Sequence, residues 1–101
     1  MTVETHFNPL KQALTIKVPK RFDANSKPFF LNAVNSITPA MQEVIIDFDI
    51  VEFIESSALW MLLLVGEEAI SNNQEVRIIN TNPLVKRFFS ASKLDKLFII
   101  A

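Results

Sequence analysis

The chain has 101 residues, half of them hydrophobic, with no cysteine, a single histidine and a formal net charge of −1. This composition excludes a disulfide, a thiolate metal site and a histidine zinc cluster, and the charge argues against nucleic acid as the main partner. We expect one domain over residues 1–101 and a cytoplasmic protein with no cofactor, because neither a signal peptide nor an apolar run long enough to cross a bilayer is present.

The first predicted elements are a β-hairpin and a helix. Residues 5–8 end an edge strand, and residues 13–18 alternate between apolar and polar side chains, as in a strand with one wet face. After a loop at residues 22–26, a helix is predicted over about residues 27–37. Its apolar residues recur at helical spacing, which predicts a buried stripe of Phe30, Leu31, Val34 and Ile37.

Strands and helices alternate in the rest of the chain. Strands are predicted at residues 43–48, 75–80 and 97–100, and helices at residues 57–72 and 83–92. The first of these helices is expected to bury Leu59, Leu62, Leu63, Gly66 and Ile70, with Gly66 allowing close packing against the sheet. The order β-β-α-β-α-β-α-β predicts an α/β domain with helices packed on a mixed, mostly parallel sheet of four to five strands. A functional site is expected at the carboxyl ends of the strands.

Basic residues are absent from the middle of the chain. No Lys or Arg lies between Lys27 and Arg77, whereas this interval holds Glu43, Asp47, Asp49, Glu52, Glu55, Glu67, Glu68 and Glu75. Two interpretations stay open. These acids dot the solvent side of separate elements, or the surface around Ser56 and Ser57 is acidic and meets a basic patch of a partner.

Patterns for catalysis and metal binding find little support. A single glycine can hardly build a phosphate loop, and neither serine of the central motif has a histidine nearby, since His6 lies in the first strand. The acids at residues 47–55 have a spacing that is common without a metal ion, so no metal site is predicted. A phospho-aspartate receiver centred on Asp47 would need an acidic pair after an earlier strand, where Asp23 stands alone. We therefore predict no enzyme activity.

The most informative local feature is a pair of serines between an apolar strand and an apolar helix. Ser56 and Ser57 directly precede eight consecutive apolar residues, from Ala58 to Val65. A serine at this point can cap the helix, bind an anion or carry a phosphate, because the first turn has unpaired N–H groups and a partial positive charge. The residues alone leave these alternatives open.

One turn beyond the second serine, the helix carries a tryptophan on a similar face. Trp60 is followed one turn later by Leu64. Two environments are open for Trp60, which either packs under a neighbouring helix or forms an exposed aromatic anchor for a partner, as interface hot spots favour Trp.

The segment from Val44 to Leu59, VIIDFDIVEFIESSAL, resembles the central motif of the anti-sigma-factor antagonists, the small STAS domains. In that family an apolar strand ends in Asp, and Asp-Ser-Ser-Gly-Leu opens a helix about seven residues later. Arg21-Phe22-Asp23-Ala24 is similar to the loop before the family's first helix, and residues 84–98 are similar to its last helix and strand. The chain departs from the motif at Glu55, where Asp is usual, and at Ala58, where Gly is usual.

The resemblance implies a bacterial partner switch in signal transduction and transcription regulation. In the family, the unmodified antagonist binds an anti-sigma factor, often a serine kinase, and a sigma factor is released. Phosphorylation of the motif serine ends this binding, and a metal-dependent serine phosphatase resets the switch. Carried onto this sequence, the phosphorylated residue is Ser57, with Ser56 as second choice. With the helix pattern added, the expected partner-binding residues are Asp23, Glu55, Ser56, Ser57, Ala58, Trp60 and Leu64.

Two other roles stay open, and so does the formation of a homodimer. Some small STAS proteins are accessory subunits that bind the ATPase of an ABC transporter without phosphorylation, and the changes at Glu55 and Ala58 leave room for that role. The third role is a scaffold subunit of a larger signalling assembly. None of these roles involves nucleic acid or direct insertion into a membrane.

Overall fold

A computed structural model describes residues 3–100 of the chain. Its strands are Glu4–Asn8 (β1), Ala13–Lys17 (β2), Arg21–Phe22 (β3), Glu43–Asp47 (β4), Phe53–Ile54 (β5), Glu75–Ile79 (β6) and Ile99–Ile100 (β7). Its α-helices are Lys27–Asn35 (α1), Ala58–Ser71 (α2) and Pro83–Ser92 (α3), and short 3-10 turns lie at Ala24–Ser26 and Leu94–Lys96.

The main sheet has five strands in the order β1-β2-β4-β6-β7. β1 and β2 form the predicted antiparallel hairpin, and every later pair in this sheet is parallel. The parallel steps β2-β4, β4-β6 and β6-β7 each enclose a helix, as crossover connections between parallel strands require. The predicted α/β fold with a mixed, mostly parallel sheet is therefore confirmed.

Two short strands were not predicted from the sequence. β3 and β5 form a separate parallel pair, with Arg21 opposite Phe53 and Phe22 opposite Ile54. Residues 22–26 were expected to form a loop and residues 51–54 a connection. Strands of two residues are too short to show a period-two pattern, so hydrophobic periodicity could not reveal them.

One face of the main sheet carries the core. Along β4, Val44 and Ile46 are completely buried, whereas the alternate residues Glu43, Ile45 and Asp47 are half-buried. The buried face joins the matching residues of β2 and β6 to the buried residues of all three helices. This alternation confirms a strand covered by helices on at least one side.

Aromatic rings fill the core at the end of the sheet next to the short β3–β5 pair. The ring of Phe48 lies 6.1 Å from that of Phe22 and 5.6 Å from that of Phe89, which it meets edge-on. Phe22 in turn lies 5.3 Å from Phe30 of α1. These contacts fix the loops on which the candidate site is built.

The buried face of α2 differs from the predicted one. Its buried residues are Ala58, Met61, Leu62, Val65, Gly66 and Ala69. Leu59 and Leu63 are only half-buried, and Ile70 is 60% exposed, so the predicted burial of Ile70 is wrong. A helix that is apolar on nearly every side gives no clear periodicity, and its inner face then depends on the packing of its neighbours.

A smaller difference of the same kind occurs in α1. The helix buries Phe30 and Ala33, while the predicted Leu31 and Val34 are half-buried. Ile37 is buried as expected but lies beyond the end of the helix at Asn35.

Gly66 packs against the end of the chain rather than against an inner strand. A Cβ atom at this position would lie 2.9 Å from Leu97 Cδ2 and 3.3 Å from Phe98 Cε1. Close packing was the predicted reason for Gly66, but its partner is the segment between the turn at Leu94–Lys96 and β7. The predicted strand over residues 97–100 is correspondingly reduced to Ile99–Ile100.

A buried glutamine ties the loop after α1 to the start of β6. The Gln74 side chain is 8% exposed, and its amide nitrogen donates to the carbonyl oxygens of Thr38 at 2.6 Å and Met41 at 2.8 Å.

Within residues 3–100, none of the helices has the length and apolar character that crossing a membrane requires.

Candidate functional site

The short β3–β5 pair brings two distant loops together beside the start of α2. Because Phe22 pairs with Ile54, the next residues on each strand also meet, and the Glu55 N–H donates to the Phe22 carbonyl oxygen at 3.2 Å. The segment from Asp23 to Lys27 therefore lies against the segment from Glu55 to Ser57. The two segments form the base of the candidate site.

The Glu55 carboxylate is the link between these segments. Its Oε1 accepts a hydrogen bond from the Ser57 hydroxyl at 2.6 Å and another from the Ala24 N–H at 3.1 Å. The hydrogen bonds from the Ser57 hydroxyl and the Ala24 N–H lower the pKa of Glu55 below its ordinary value of 4.5; partial burial opposes them, and the Arg21 charge adds a smaller lowering. Glu55 is therefore ionised at neutral pH and accepts both hydrogen bonds as a carboxylate.

Ser57 directly precedes the first residue of α2, but its side chain does not cap the helix. Its backbone is helical, with φ −62° and ψ −24°, and its side chain makes no capping hydrogen bond. The hydroxyl donates its proton to Glu55 instead. Of the three alternatives for the serine, the capping role is therefore not the one adopted. Ser57 is half-buried, while Ser56 is exposed.

Asp23 shapes the loop from within. It is only 6% exposed, it accepts a hydrogen bond from the Asn25 N–H at 3.0 Å, and it pairs with Arg21 at 3.5 Å. The Arg21 guanidinium also lies 4.2 Å from the centre of the Phe53 ring, a cation–π contact that joins β3 to β5. Asp23 thus caps the turn at Ala24–Ser26 and holds Ala24 within reach of Glu55.

A largely apolar groove runs along α2 from this loop, with a volume of about 430 Å³. One wall is formed by Ala24 and Lys27, and the rest of the lining comes from Ser57, Trp60, Met61, Leu63, Leu64 and Glu67. Trp60 is 70% exposed, which excludes burial under a neighbouring helix, and Leu64 is 38% exposed. An exposed tryptophan on an apolar groove is typical of an interaction surface. We call this surface the α2 groove.

The charges around the α2 groove are mixed. Lys27 lies on the same groove as Ser57, and Glu67 lines it further along the helix. Of the two open interpretations of the acidic residues, an acidic surface around Ser56 and Ser57 is incomplete, because Lys27, the last basic residue before the base-free interval, lines the same groove as Ser57.

The predicted partner-binding residues differ in accessibility. Ser56, Trp60 and Leu64 are exposed, and Glu55 and Ser57 are half-buried. Asp23 and Ala58 are buried, so neither offers much surface of its own. The Ala58 side chain, which stands where the motif has Gly, lies in the core rather than on the groove.

The other residues considered from the sequence lie apart from this groove. His6 is exposed on the edge strand β1, opposite Thr15. Asp47 lies at the end of β4, where its Oδ1 accepts hydrogen bonds from Asn80 Nδ2 and from the Asp49 N–H, both at 2.9 Å. Within the part of the chain that the structure describes, no three histidine or carboxylate side chains gather as a metal site. Sequence reasoning missed Ala24, Lys27 and Glu67, and only the position of Lys27 at the edge of the base-free interval signalled its role.

Comparison with known proteins relates this arrangement to a family. The family model described as STAS domain matches residues 4–101. A STAS-domain-containing protein of Pseudomonas aeruginosa strain UCBPP-PA14 is 30% identical over 90 residues, which are 89% of each chain.

Solved structures share the same fold. An anti-sigma-factor antagonist (STAS) domain protein from Planctomyces limnophilus superposes with a TM-score of 0.82 at 18% identity, covering 99% of this chain and 89% of that one. SpoIIAA in its unphosphorylated form gives 0.77 at 17% identity, covering 99% and 88%, and the phosphorylated form of Bacillus SpoIIAA gives 0.69 at 16% identity, covering 99% and 91%. The five-stranded sheet, the three helices and the family match over nearly the whole chain lead to one conclusion: the chain belongs to the STAS domain family.

Proposed function

We propose that this protein is an anti-sigma-factor antagonist that works by partner switching in the bacterial cytoplasm. The unmodified chain binds an anti-sigma factor that is also a serine kinase, through the α2 groove, and a sigma factor is released. Phosphorylation of Ser57 ends this binding, and a metal-dependent serine phosphatase restores it. The protein itself performs no catalysis in this scheme.

One observation carries the proposal. The hydroxyl of Ser57 lies at the start of α2 and lines the same groove as the exposed Trp60. A group added to Ser57 therefore enters the surface that a partner would cover. The exposed Ser56 does not line the groove, which favours Ser57 as the regulated residue.

The expected effect of a phosphate falls on binding more than on folding. A phosphate adds a charge of about −1.5 to −2, and the helix N-terminus favours it by about 0.3–1 kcal/mol. The ionised Glu55 opposes it at close range, so these intramolecular effects largely offset each other. At an interface, by contrast, the dianion would lose its water against an apolar groove, which is strongly unfavourable.

A second role is favoured by the chemistry of the motif itself. The Ser57 hydroxyl is already held by Glu55 at 2.6 Å, and Ala58 adds a side chain where the family motif has none. A chain that keeps the α2 groove without using the serine would suit an accessory subunit that binds the ATPase of an ABC transporter. A scaffold subunit among sister STAS proteins would use the same groove.

Affinity purification from the source cell separates these roles. The antagonist role predicts co-purification of a serine kinase or anti-sigma factor, together with a phosphopeptide modified at Ser57. An ABC ATPase without phosphopeptide would support the accessory role, and sister STAS proteins would support the scaffold. In the same assay Ser57→Ala should bind the kinase constitutively and Ser57→Asp should bind poorly, with similar melting temperatures. Equal binding by both variants and the wild type would refute the switch.

A further inference from the structure

Glu55 fastens together two segments that are far apart in the chain. Its Oε1 accepts hydrogen bonds from Ser57, two residues later, and from Ala24, 31 residues earlier. Ala24 belongs to one wall of the α2 groove and Ser57 to the other. The carboxylate therefore joins both walls at the end where α2 begins.

This link depends on the Ser57 side chain being a donor. In phosphorylation the Ser57 Oγ forms a bond to the γ-phosphorus of a nucleoside triphosphate. The nucleoside diphosphate leaves with the electron pair of the broken P–O bond, and the hydroxyl proton goes to solvent. The product side chain has only acceptor oxygens and a charge of the same sign as Glu55. The contact of 2.6 Å between Ser57 Oγ and Glu55 Oε1 then turns from a hydrogen bond into a repulsion.

The second hydrogen bond of the Glu55 carboxylate, from the Ala24 N–H, is a weaker hold. The Ala24 N–H is a neutral donor at 3.1 Å, longer than the Ser57 contact, and it holds the carboxylate by a single hydrogen bond. The positive charge of Arg21 favours the ionised form of Glu55, although its own ion pair is with Asp23 at 3.5 Å.

We propose that Glu55 is the positioning residue of the switch, an inference that rests on the function proposed above. In the unmodified chain it holds the Ser57 hydroxyl and the Ala24 N–H in one arrangement. A phosphate on Ser57 expels the Glu55 carboxylate and breaks the hydrogen bond by which it ties Ala24 to the start of α2. Partner release then follows from a changed groove shape as well as from the added charge.

The Ala24 amide proton gives a direct readout in the isolated protein. An N–H that donates to a carboxylate shifts in the NMR spectrum when that carboxylate is protonated. In 15N-labelled unmodified protein, we expect the Ala24 resonance to titrate below pH 4.5 with Glu55. Glu55→Gln should remove this step while leaving the fold intact, as judged by the other amide resonances. Ser57→Ala, the matched control, should keep the step but move its midpoint upward, because one hydrogen bond to the ionised form is lost.

The decisive sample carries phosphoserine installed at position 57 during translation, which requires no kinase. We expect the amplitude of the Ala24 step to fall at least about fivefold relative to unmodified protein, since the carboxylate no longer accepts from this N–H. A step of unchanged amplitude in the phosphoserine protein overturns the proposal, and so does a step of unchanged amplitude in Glu55→Gln.

Failure of this inference and failure of the proposed function are distinguishable. If native protein never carries phosphate at Ser57 but the Ala24 step disappears in the phosphoserine sample, the partner switch fails and the role of Glu55 stands. If Ser57 is phosphorylated in cells and the Ala24 step persists in the phosphoserine sample, the role of Glu55 fails and the partner switch stands.

Discussion

Truncation of Trp60 separates an interaction surface from a structural one. The side chain is 70% exposed, so about 30% of its surface is buried in the folded chain. A tryptophan has about 150–250 Å² to bury, which leaves about 45–75 Å² at this position. At about 25 cal/mol per Å², the loss on Trp60→Ala is about 1–2 kcal/mol, and the better helix propensity of alanine offsets up to about 0.5 kcal/mol of it.

The expected loss of binding is larger than the loss of stability. Truncation of a central interface tryptophan typically costs 2 kcal/mol or more, which corresponds to about a 30-fold weaker complex. We therefore expect Trp60→Ala to melt no more than about 8 °C below the wild type. Its affinity for the partner should fall at least about tenfold. Urea unfolding gives the stability, and titration against the co-purified partner gives the affinity.

Ile70→Ala is the matched control on the same helix. Ile70 is 60% exposed and does not line the α2 groove, so its truncation should have a similarly small effect on stability and none on affinity. If Trp60→Ala binds as tightly as Ile70→Ala, the groove is not the interaction surface. If Trp60→Ala instead loses several kcal/mol of stability, the reasoning from its exposure is wrong.

Three further predictions concern stability. Because the folded chain lowers the pKa of Glu55, its contacts stabilise the fold above the ordinary value of 4.5 and are lost as pH falls through the lowered value. The difference in unfolding free energy between wild type and Glu55→Gln should therefore shrink below about pH 4.5, and a pH-independent difference would contradict this. In urea unfolding, Gly66→Ala should stay within about 1 kcal/mol of wild type, because the higher helix propensity of alanine offsets its close contact with the flexible end of the Leu97 side chain. The bulkier Gly66→Val should lose more than about 2 kcal/mol of stability. Equal stability of the two variants would refute the close contact. Gln74→Ala should lose about 1–3 kcal/mol in the same assay, since it leaves two carbonyl oxygens without their donor, and an unchanged midpoint would show that these hydrogen bonds contribute little.

The parts of the fold with a strong local pattern were predictable from the sequence. The strands β2, β4 and β6 and the helices α2 and α3 lie within one residue of their predicted bounds. Each has a sharp alternation, an apolar run or a clear start signal, such as Asn82 before Pro83, whose side chain accepts a hydrogen bond from the Val85 N–H. The family motif agreed with this element order, and both lines of reasoning led to the same fold.

What the sequence did not reveal depends on contacts between distant segments. The inner face of α2 was assigned wrongly at Ile70 because the helix is apolar nearly all round, and packing decides which side is buried. The link from Glu55 to Ala24 could not be predicted, because it requires the β3–β5 pair, whose strands have only two residues each. The groove face of Ser57, Trp60 and Leu64 was predictable, since these residues recur at helical spacing on one α-helix.

In the proposed switch, a phosphate on Ser57 controls binding at the α2 groove. The most direct measurement compares two immobilised proteins in lysate of the source cell, one unmodified and one with phosphoserine installed at position 57. We expect the unmodified protein to retain a serine kinase or anti-sigma factor and the phosphoserine protein to lose it, with both proteins folded. Equal retention of that partner by the two proteins would show that the phosphate on Ser57 does not control binding.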